Sequence, residues 1–406
     1  MNLRLRWPQA LATPAFRWFF VAHSIGIAGH WMQKVAAAWL VYRLSESTLM
    51  LGVAGFAQLT PILLFGLWGG VLADRWPRRR ILLLAQGVVL AQALLLAALT
   101  LSGRVEVWQV LLISVVHGTA MAFEQPARMA FVAELAPRAH LTQAIALNAG
   151  VFNGARMAVP PLAGLLVALW NEGAAFALNA LCFGAYLLIL GLKVPVTPAA
   201  PRPTQGRRDA LREGLRYAWT HPVIRHALAM IALISAVGIV YLTLLPAFAA
   251  QAMSGGSELY GLLLGATGLG SVIGAVLLAR RRHDAHALRR IGISGVLGGL
   301  TQALFPLSGL VWLVLPLLAL TGLLLTLTTA ACNALVQHEV EERLRGRVMA
   351  LVSVTFLGLT PFTGLLAGAL AEHWGSAAVM SACGLLMALG AALHLRPPAP
   401  AAECKN

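Results

Sequence analysis

Residues 144–170 read AIALNAGVFNGARMAVPPLAGLLVALW, and 204 positions later residues 348–374 read VMALVSVTFLGLTPFTGLLAGALAEHW. Laid over one another they share Phe152/Phe356, Gly154/Gly358, Gly164/Gly368 and Trp170/Trp374, besides several Leu and Ala matches. The same shift sets Gly66 on Gly270 and Gly70 on Gly274. Leu and Ala coincide cheaply in an apolar chain; glycines in register with a terminal tryptophan do not. The offset is within one residue of half the 406-residue chain, so the chain reads as one unit written twice.

Charged residues are only 11% of the chain and hydrophobic ones 59%. A soluble domain carries about 25% charged residues. The apolar runs are continuous and reach the roughly 20 residues that cross a bilayer as helix. A membrane β-barrel would instead show segments of about ten residues that alternate in polarity. The expectation is an all-α polytopic membrane protein with twelve transmembrane helices in two pseudo-symmetric six-helix halves. The spans are predicted at 17–43, 49–73, 81–101, 105–127, 142–169, 174–192, 223–250, 259–279, 288–306, 310–336, 346–371 and 376–395. The domains are then 1–192, a linker over 193–222 with a short helix carrying Arg208, Arg212 and Arg216, and 223–406.

The net charge of +15 invites a nucleic-acid reading until it is mapped on these spans. Of the 30 lysines and arginines, 26 fall on one side, among them Arg75, Arg78, Arg79 and Arg80 between the second and third spans. Lysine and arginine accumulate in cytoplasmic loops. Both termini are therefore expected in the cytoplasm, with the basic charge serving as topology rather than nucleic-acid contact. The first apolar run is too long and too polar for a cleaved leader. Cys182, Cys332, Cys383 and Cys404 show no metal-ligand spacing and read as small apolar fillers.

Two six-span repeats are the plan of transporters that bind substrate at the membrane midplane, where the repeats meet. Gly150 with Gly154, and Gly364 with Gly368, are spaced for close helix packing, and Gly66, Gly69 and Gly70 are expected to let the end of span two pack closely. No G-x-x-x-x-G-K-[ST] stretch is present, so ATP is not the expected energy source. HEVEE at 338–342 lacks the second histidine of a zinc protease, and no nucleophile–base pair stands out, so an enzyme is not expected.

Of fifteen carboxylates only Glu124 falls inside a span, about one turn from its cytoplasmic end. The positive side differs. His23, Ile27, His30 and Lys34 are spaced 4, 3 and 4 and share one helical face. His117 and Arg156 lie within the fourth and fifth spans. A charge at the bilayer centre costs at least about 2.5–3.5 kcal/mol, so these groups should face a cavity or a partner. The inference is a net-positive cavity that favours anionic or neutral polar cargo over lipophilic cations. A purely structural alternative has Lys34 snorkelling or pairing with helix carbonyls, and Arg156 bracing Glu124 or a C-terminal carbonyl. For proton movement the candidates are Glu124, then His30, His23 and His117. Glu124 and Arg128 also form an i, i+4 pair.

Gly70-Val-Leu-Ala-Asp74-Arg75-Trp-Pro-Arg78-Arg79-Arg80 resembles the loop signature G-x-L-A-D-R-x-G-R-[KR] of the major facilitator superfamily, with Pro77 in place of the second glycine. The second copy keeps Gly274 and its arginines but has Leu278 where Asp74 falls. GHWMQKVAAAWLVYRLSES (29–47), FEQPARMAFVAELAPRAHLTQAIALN (123–148), FNGARMAVPPLAGLL (152–166) and RGRVMAL (345–351) are similar to bacterial exporters of the enterobactin-exporter and macrolide-efflux branch. The fifth-span antiporter motif of the superfamily has Gly-Pro where this chain has Val159-Pro160. The resemblance implies a proton-coupled exporter of small organic molecules, siderophore-like or drug-like, working by alternating access. It implies a monomer in the bacterial inner membrane, driven by the proton gradient with no cofactor. Its partners would be a small-molecule substrate, protons and the lipid bilayer. Gly70, Asp74, Arg75, Arg78 and Arg79 would form its conformational motif. An importer or facilitator of the same fold, and a transporter-derived sensor, are the alternatives.

Overall fold

The computed structural model describes residues 9–195, 207–280 and 286–395. It is helical, with no strand among the described residues. The first helices are α1 (Pro14–Ser45), α2 (Thr48–Arg75), α3 (Arg78–Leu101), α4 (Val107–Leu135), α5 (Leu141–Leu169) and α6 (Glu172–Lys193). After the linker come α7 (Arg207–Thr220), α8 (Pro222–Leu233), α9 (Tyr241–Ala247), α10 (Ser257–Ala279), α11 (Ala287–Leu304), α12 (Val311–Glu339), α13 (Arg345–Trp374) and α14 (Ser376–Leu393). Each of the twelve expected spans falls on one of these helices or, over Pro222–Ala252, on a composite of them. Ten are long and apolar enough to cross a bilayer by composition alone. The other two, α1 and α11, are diluted by the polar residues of their sequences, such as His30 and Lys34 in α1 and Arg289, Arg290 and Gln302 in α11. The Pro-rich start of the linker, Arg4, Arg6, Arg281, Arg282, Arg396, Cys404 and Lys405 lie outside the described residues, as do the side chains of Arg208 and Arg212.

Local chemistry fixes the helix ends. Glu106 and Gln109 form a reciprocal capping box at the start of α4, and Asn171 Oδ1 accepts from Ala174 N at 2.9 Å at the start of α6. Pro14 and Pro222 occupy first-turn positions, where a missing N–H costs nothing. The joint between α13 and α14 is one residue, Gly375, at φ +81°, where a side chain would be strained.

The described residues cluster into two compact units. One comprises Met1–Glu46, Ala57–Arg202 and Gly256–Gly261; the other comprises Ser47–Phe56, Pro203–Gly255 and Leu262–Asn406. The internal repeat reappears as packing within each. In the first, α3 packs on α4 and α6; in the second, α11 packs on α12 and α14. In the first unit a Cβ on Gly118 would overlap the Gln58 carbonyl; in the second, one on Gly322, 204 residues on, would overlap that of Thr267. Ser257 Oγ donates to Gly164 O at 3.0 Å in the first unit, and Thr48 Oγ1 to Gly368 O at 2.9 Å in the second. Outward-facing Leu64, Leu67, Leu192 and Leu393 are exposed, as on a surface meant for acyl chains rather than water.

Three glycine expectations need correcting. At Gly66 and Gly70 an added Cβ meets nothing within 4 Å; Gly69, between them, is the residue whose Cβ would run into the Ala122 carbonyl of α4. Gly150 and Gly154 likewise face open space, and Gly164 carries the close approach of α5 instead. In the second unit Gly368 is tightly packed, against the Thr48 carbonyl and Gly52; a Cβ on Gly364 would make only an ordinary contact with Thr243 Oγ1, although the Gly364 carbonyl itself crowds Gly52. Two further differences concern helices. The expected span 223–250 is not one regular helix: π-helical turns at Ile234–Gly238 and Phe248–Ala252 interrupt it around α9. Gly238 and Pro246 weaken the regular ladder there. And α4 continues through Pro126 to Leu135, two turns past the expected end at 127, so Arg128 is a helical residue, not a loop residue.

Candidate functional site

His23, His30 and Lys34 of α1, His117, Glu124 and Arg128 of α4 and Arg156 of α5, each buried or half-buried, gather where these helices face one another. The 4-3-4 spacing on α1 sets His23, His30 and Lys34 one above another, and each level finds its own partner. His23 is buried, stacks on Phe19 at 5.7 Å, and has Arg128 Nη1 3.5 Å from its Nε2. Arg128 Nε donates at 2.9 Å to Glu124 Oε1, one turn back along α4. Two turns higher, His30 stacks on His117 of α4 with ring centroids 5.5 Å apart. Above that, the Lys34 ammonium lies 4.8 Å from the centre of the Trp31 ring, which in turn contacts Phe152 at 5.8 Å. Arg156 of α5 is within electrostatic reach of Lys34. The structure thus brings together all six residues singled out for cargo or coupling.

Two levels of this stripe border a cavity of about 80 Å³, lined among others by His23, His30, Glu124, Arg128, Phe152 and Tyr186. Tyr186 Oη and Gln86 Oε1 at its wall, and His117 Nδ1 beside it, are buried without a hydrogen-bond partner among the described residues. Buried polar atoms are nearly always paired in folded proteins, so these three can serve a polar guest. Among the described residues that line it, the cavity has one carboxylate, Glu124, and Arg128 already engages it. The remaining field is positive, which suits an anion.

Glu124 is braced by Arg128, one turn along the same helix. Sequence reading missed other members. Beside Lys34, Gln33 exchanges two hydrogen bonds with Gln92 of α3 (2.9 and 2.8 Å) and accepts a third from Asn179 of α6 at 2.6 Å. All three amides are buried, so the cluster ties α1 to its neighbours and fixes the face that Lys34 presents. The visible signal was a set of amides and a tyrosine inside otherwise apolar helices.

The loop motif behaves differently. Arg78 pairs with Glu134 at the far end of α4, and Arg79 donates to the Leu190 and Gly191 carbonyls that close α6. These bonds bind the start of α3 to two helix ends, where cations complement the exposed carbonyls. Asp74 is half-buried and has no partner among the described residues of the first unit; Arg75 is exposed. Gly70 contributes no close contact.

Among solved structures, similar folds include a bacterial homologue of the human lysosomal transporter Spinster, inward-facing and occupied, with a TM-score of 0.74 at 14% identity over 93% of this chain and 95% of that one. The human organic anion transporter MFSD10 aligns with a TM-score of 0.65 at 17% identity, over 94% of this chain and 100% of that one. In sequence, the chain is 25% identical to the staphyloferrin A transporter of Staphylococcus aureus, over 91% of this chain and 92% of the relative. It is 28% identical to the enterobactin exporter EntS of Shigella boydii, over 83% and 80%. With the major facilitator fold in place, and a family match described as transmembrane secretion effector over residues 8–406, the chain belongs to that family of major facilitator membrane transporters.

Proposed function

We propose that this transporter exports anionic, siderophore-like small molecules from the cytoplasm by alternating access, in exchange for protons. The observation that carries the reading is the stripe of His23, His30, His117, Lys34 and Arg156, each buried or half-buried, beside which Glu124 is held by Arg128. A cation would meet this field unfavourably, whereas a carboxylate or phenolate would find ammonium, guanidinium and imidazole donors along α1, α4 and α5. Two relatives named for siderophores, one of them an exporter, favour that cargo class and direction.

In this reading Lys34 and Arg156 bind the anionic end of the cargo, and the histidines orient it. Glu124 is the coupling carboxylate. Its protonation would free Arg128, which also borders His23, and would link proton uptake to the cargo stripe. Gly70, Asp74, Arg75, Arg78 and Arg79 form the conformational latch, anchored by the bonds of Arg78 and Arg79 to α4 and α6. The lopsided distribution of basic residues supports an inner-membrane protein with both termini in the cytoplasm, and the superfamily resemblance supports a monomer without a cofactor. The test is transport into inverted vesicles under an imposed proton gradient, with acidic chelators set against quaternary ammonium compounds. Uptake of the acidic class, abolished by collapsing the gradient, is expected. Preference for the cations with Lys34 and Arg156 intact defeats the proposal.

A further inference from the structure

A second concavity in the first unit lies away from the cationic stripe. It is a groove of about 390 Å³ near the joint between α2 and α3. Its walls are Leu72 and Trp76 at the end of α2, Ile81 and Leu84 on α3, and Val116 and Phe123 on α4. On α3 it follows the face 81, 84, 85 and 88, about 10 Å of helix at 1.5 Å per residue. Trp76 and Leu84 are exposed, so the groove opens to the surroundings of the bundle. Thr119 is its one polar lining residue, and its hydroxyl is already given to Val115 O at 2.8 Å. The interior offers a guest dispersion contacts and no hydrogen bonds.

The rim is cationic. Arg75 precedes Trp76 and lies three residues from Leu72; Arg80 precedes Ile81 and lies one turn from Leu84. Arg78 is occupied by Glu134 and Arg79 by the end of α6. Arg75 and Arg80 are exposed, with no partner among the described residues of the first unit. The nearest carboxylate in sequence, Asp74, is two residues from both Leu72 and Trp76, a spacing that turns it to the opposite side of the helix. The exposed indole of Trp76 sits at the junction of apolar wall and charged rim, as aromatic residues do at the headgroup level.

We propose that this groove binds an anionic phospholipid, one acyl chain lying against α3 and α4 and the phosphate between Arg75 and Arg80. Two guanidiniums with no ion-pair partner among the described residues of the first unit favour a glycerol headgroup of net charge −1. They disfavour a choline headgroup, whose ammonium would enter the same positive field. A lipid held there spans α2, α3 and α4 at the joint that carries the conformational motif.

The test uses purified full-length protein, delipidated in mild detergent and titrated with dioleoylphosphatidylglycerol or dioleoylphosphatidylcholine under native mass spectrometry. The phosphatidylglycerol adduct is expected to form about tenfold more tightly, from two arginines each favouring an anionic surface. The preference should shrink as salt rises. Arg75→Ala/Arg80→Ala should remove the preference, Arg75→Lys/Arg80→Lys should retain part of it, and Val116→Trp, which fills the groove, should weaken both adducts. Should the double alanine variant not fold, Arg80→Gln with Val116→Trp reads the same two contributions. Equal affinity for the two lipids, a preference untouched by the arginine variants, or binding indifferent to Val116→Trp each overturns the proposal.

Discussion

Arg128 and Glu124 are bonded side chain to side chain across one turn of α4, Nε to Oε1 at 2.9 Å, with the carboxylate buried and His23 at the other end of the guanidinium. A pair of this kind is costly to split, because the survivor is left buried without its partner. Arg128→Ala is expected to destabilise the protein by about 3 kcal/mol, and the double variant Glu124→Gln/Arg128→Ala by clearly less. Thermal unfolding in nanodiscs, read as a double-mutant cycle, checks this; strict additivity would show the pair to be uncoupled. Under the coupling role proposed for Glu124, Glu124→Gln should also lose proton-driven transport while retaining cargo binding.

Lys34 and Trp31 supply the second test. The ammonium rests on the indole at 4.8 Å and neighbours Arg156. Lys34→Met keeps the length and the apolar contact but deletes the charge. An anionic cargo should bind about tenfold more weakly, the loss of one charge-assisted hydrogen bond. Lys34→Arg should bind within a few-fold of the original, and a neutral cargo should be indifferent to Met. Calorimetric titration of the detergent-solubilised protein reads all three. Equal losses for charged and neutral cargo would assign Lys34 to folding instead.

How much of this was legible from residues alone differs by level. The 204-residue register exposed the duplication; of its glycines, Gly164 and Gly368 sit at helix crossings that tolerate no Cβ, whereas Gly66, Gly70 and Gly154 face open space. The stripe on α1 was legible because a 4-3-4 spacing leaves a helix no choice of face. Arg128 was legible as the i, i+4 partner of Glu124 but fell just outside a span ended at 127, whereas α4 runs through Pro126 to Leu135. The π turns around α9 were hidden because an apolar run gives no sign of how its carbonyls are paired. Adjacent glycines were ambiguous for another reason. One residue of helix is a 100° turn, so Gly69 meets α4 while Gly70 looks outward.

That last contrast is itself testable. Gly69→Ala must push the Ala122 backbone and should cost about 1–3 kcal/mol. Gly70→Ala meets nothing and replaces a flexible residue within a helix, so it should be neutral or stabilise by about 0.5–1 kcal/mol. Melting temperatures of the two variants in one detergent decide it, and equal effects would mean that α2 is rotated from the orientation described.

The linker helix offers a pH-dependent test. Glu213 of α7 pairs with Arg343 at 2.8 Å and with Arg347 at the start of α13. Partial desolvation pushes its carboxyl up, but the hydrogen bonds and charges of the two arginines outweigh this and hold it below the ordinary carboxylate range. The sign follows from linkage. A depressed folded-state value means that docking gains its full electrostatic support above the ordinary carboxylate range and loses it as pH falls through the lowered value. Limited proteolysis of the linker should therefore be slow and flat from neutral pH down to about pH 5, and speed up only in more acidic buffer. Because the pair is exposed, high salt at neutral pH should mimic part of the acid effect. Glu213→Gln should cleave at the fast rate throughout, with no pH step. A wild-type linker whose cleavage ignores both acid and salt would mean that α7 is held on α13 by apolar contacts such as those of Ala218, which is buried on the same helix.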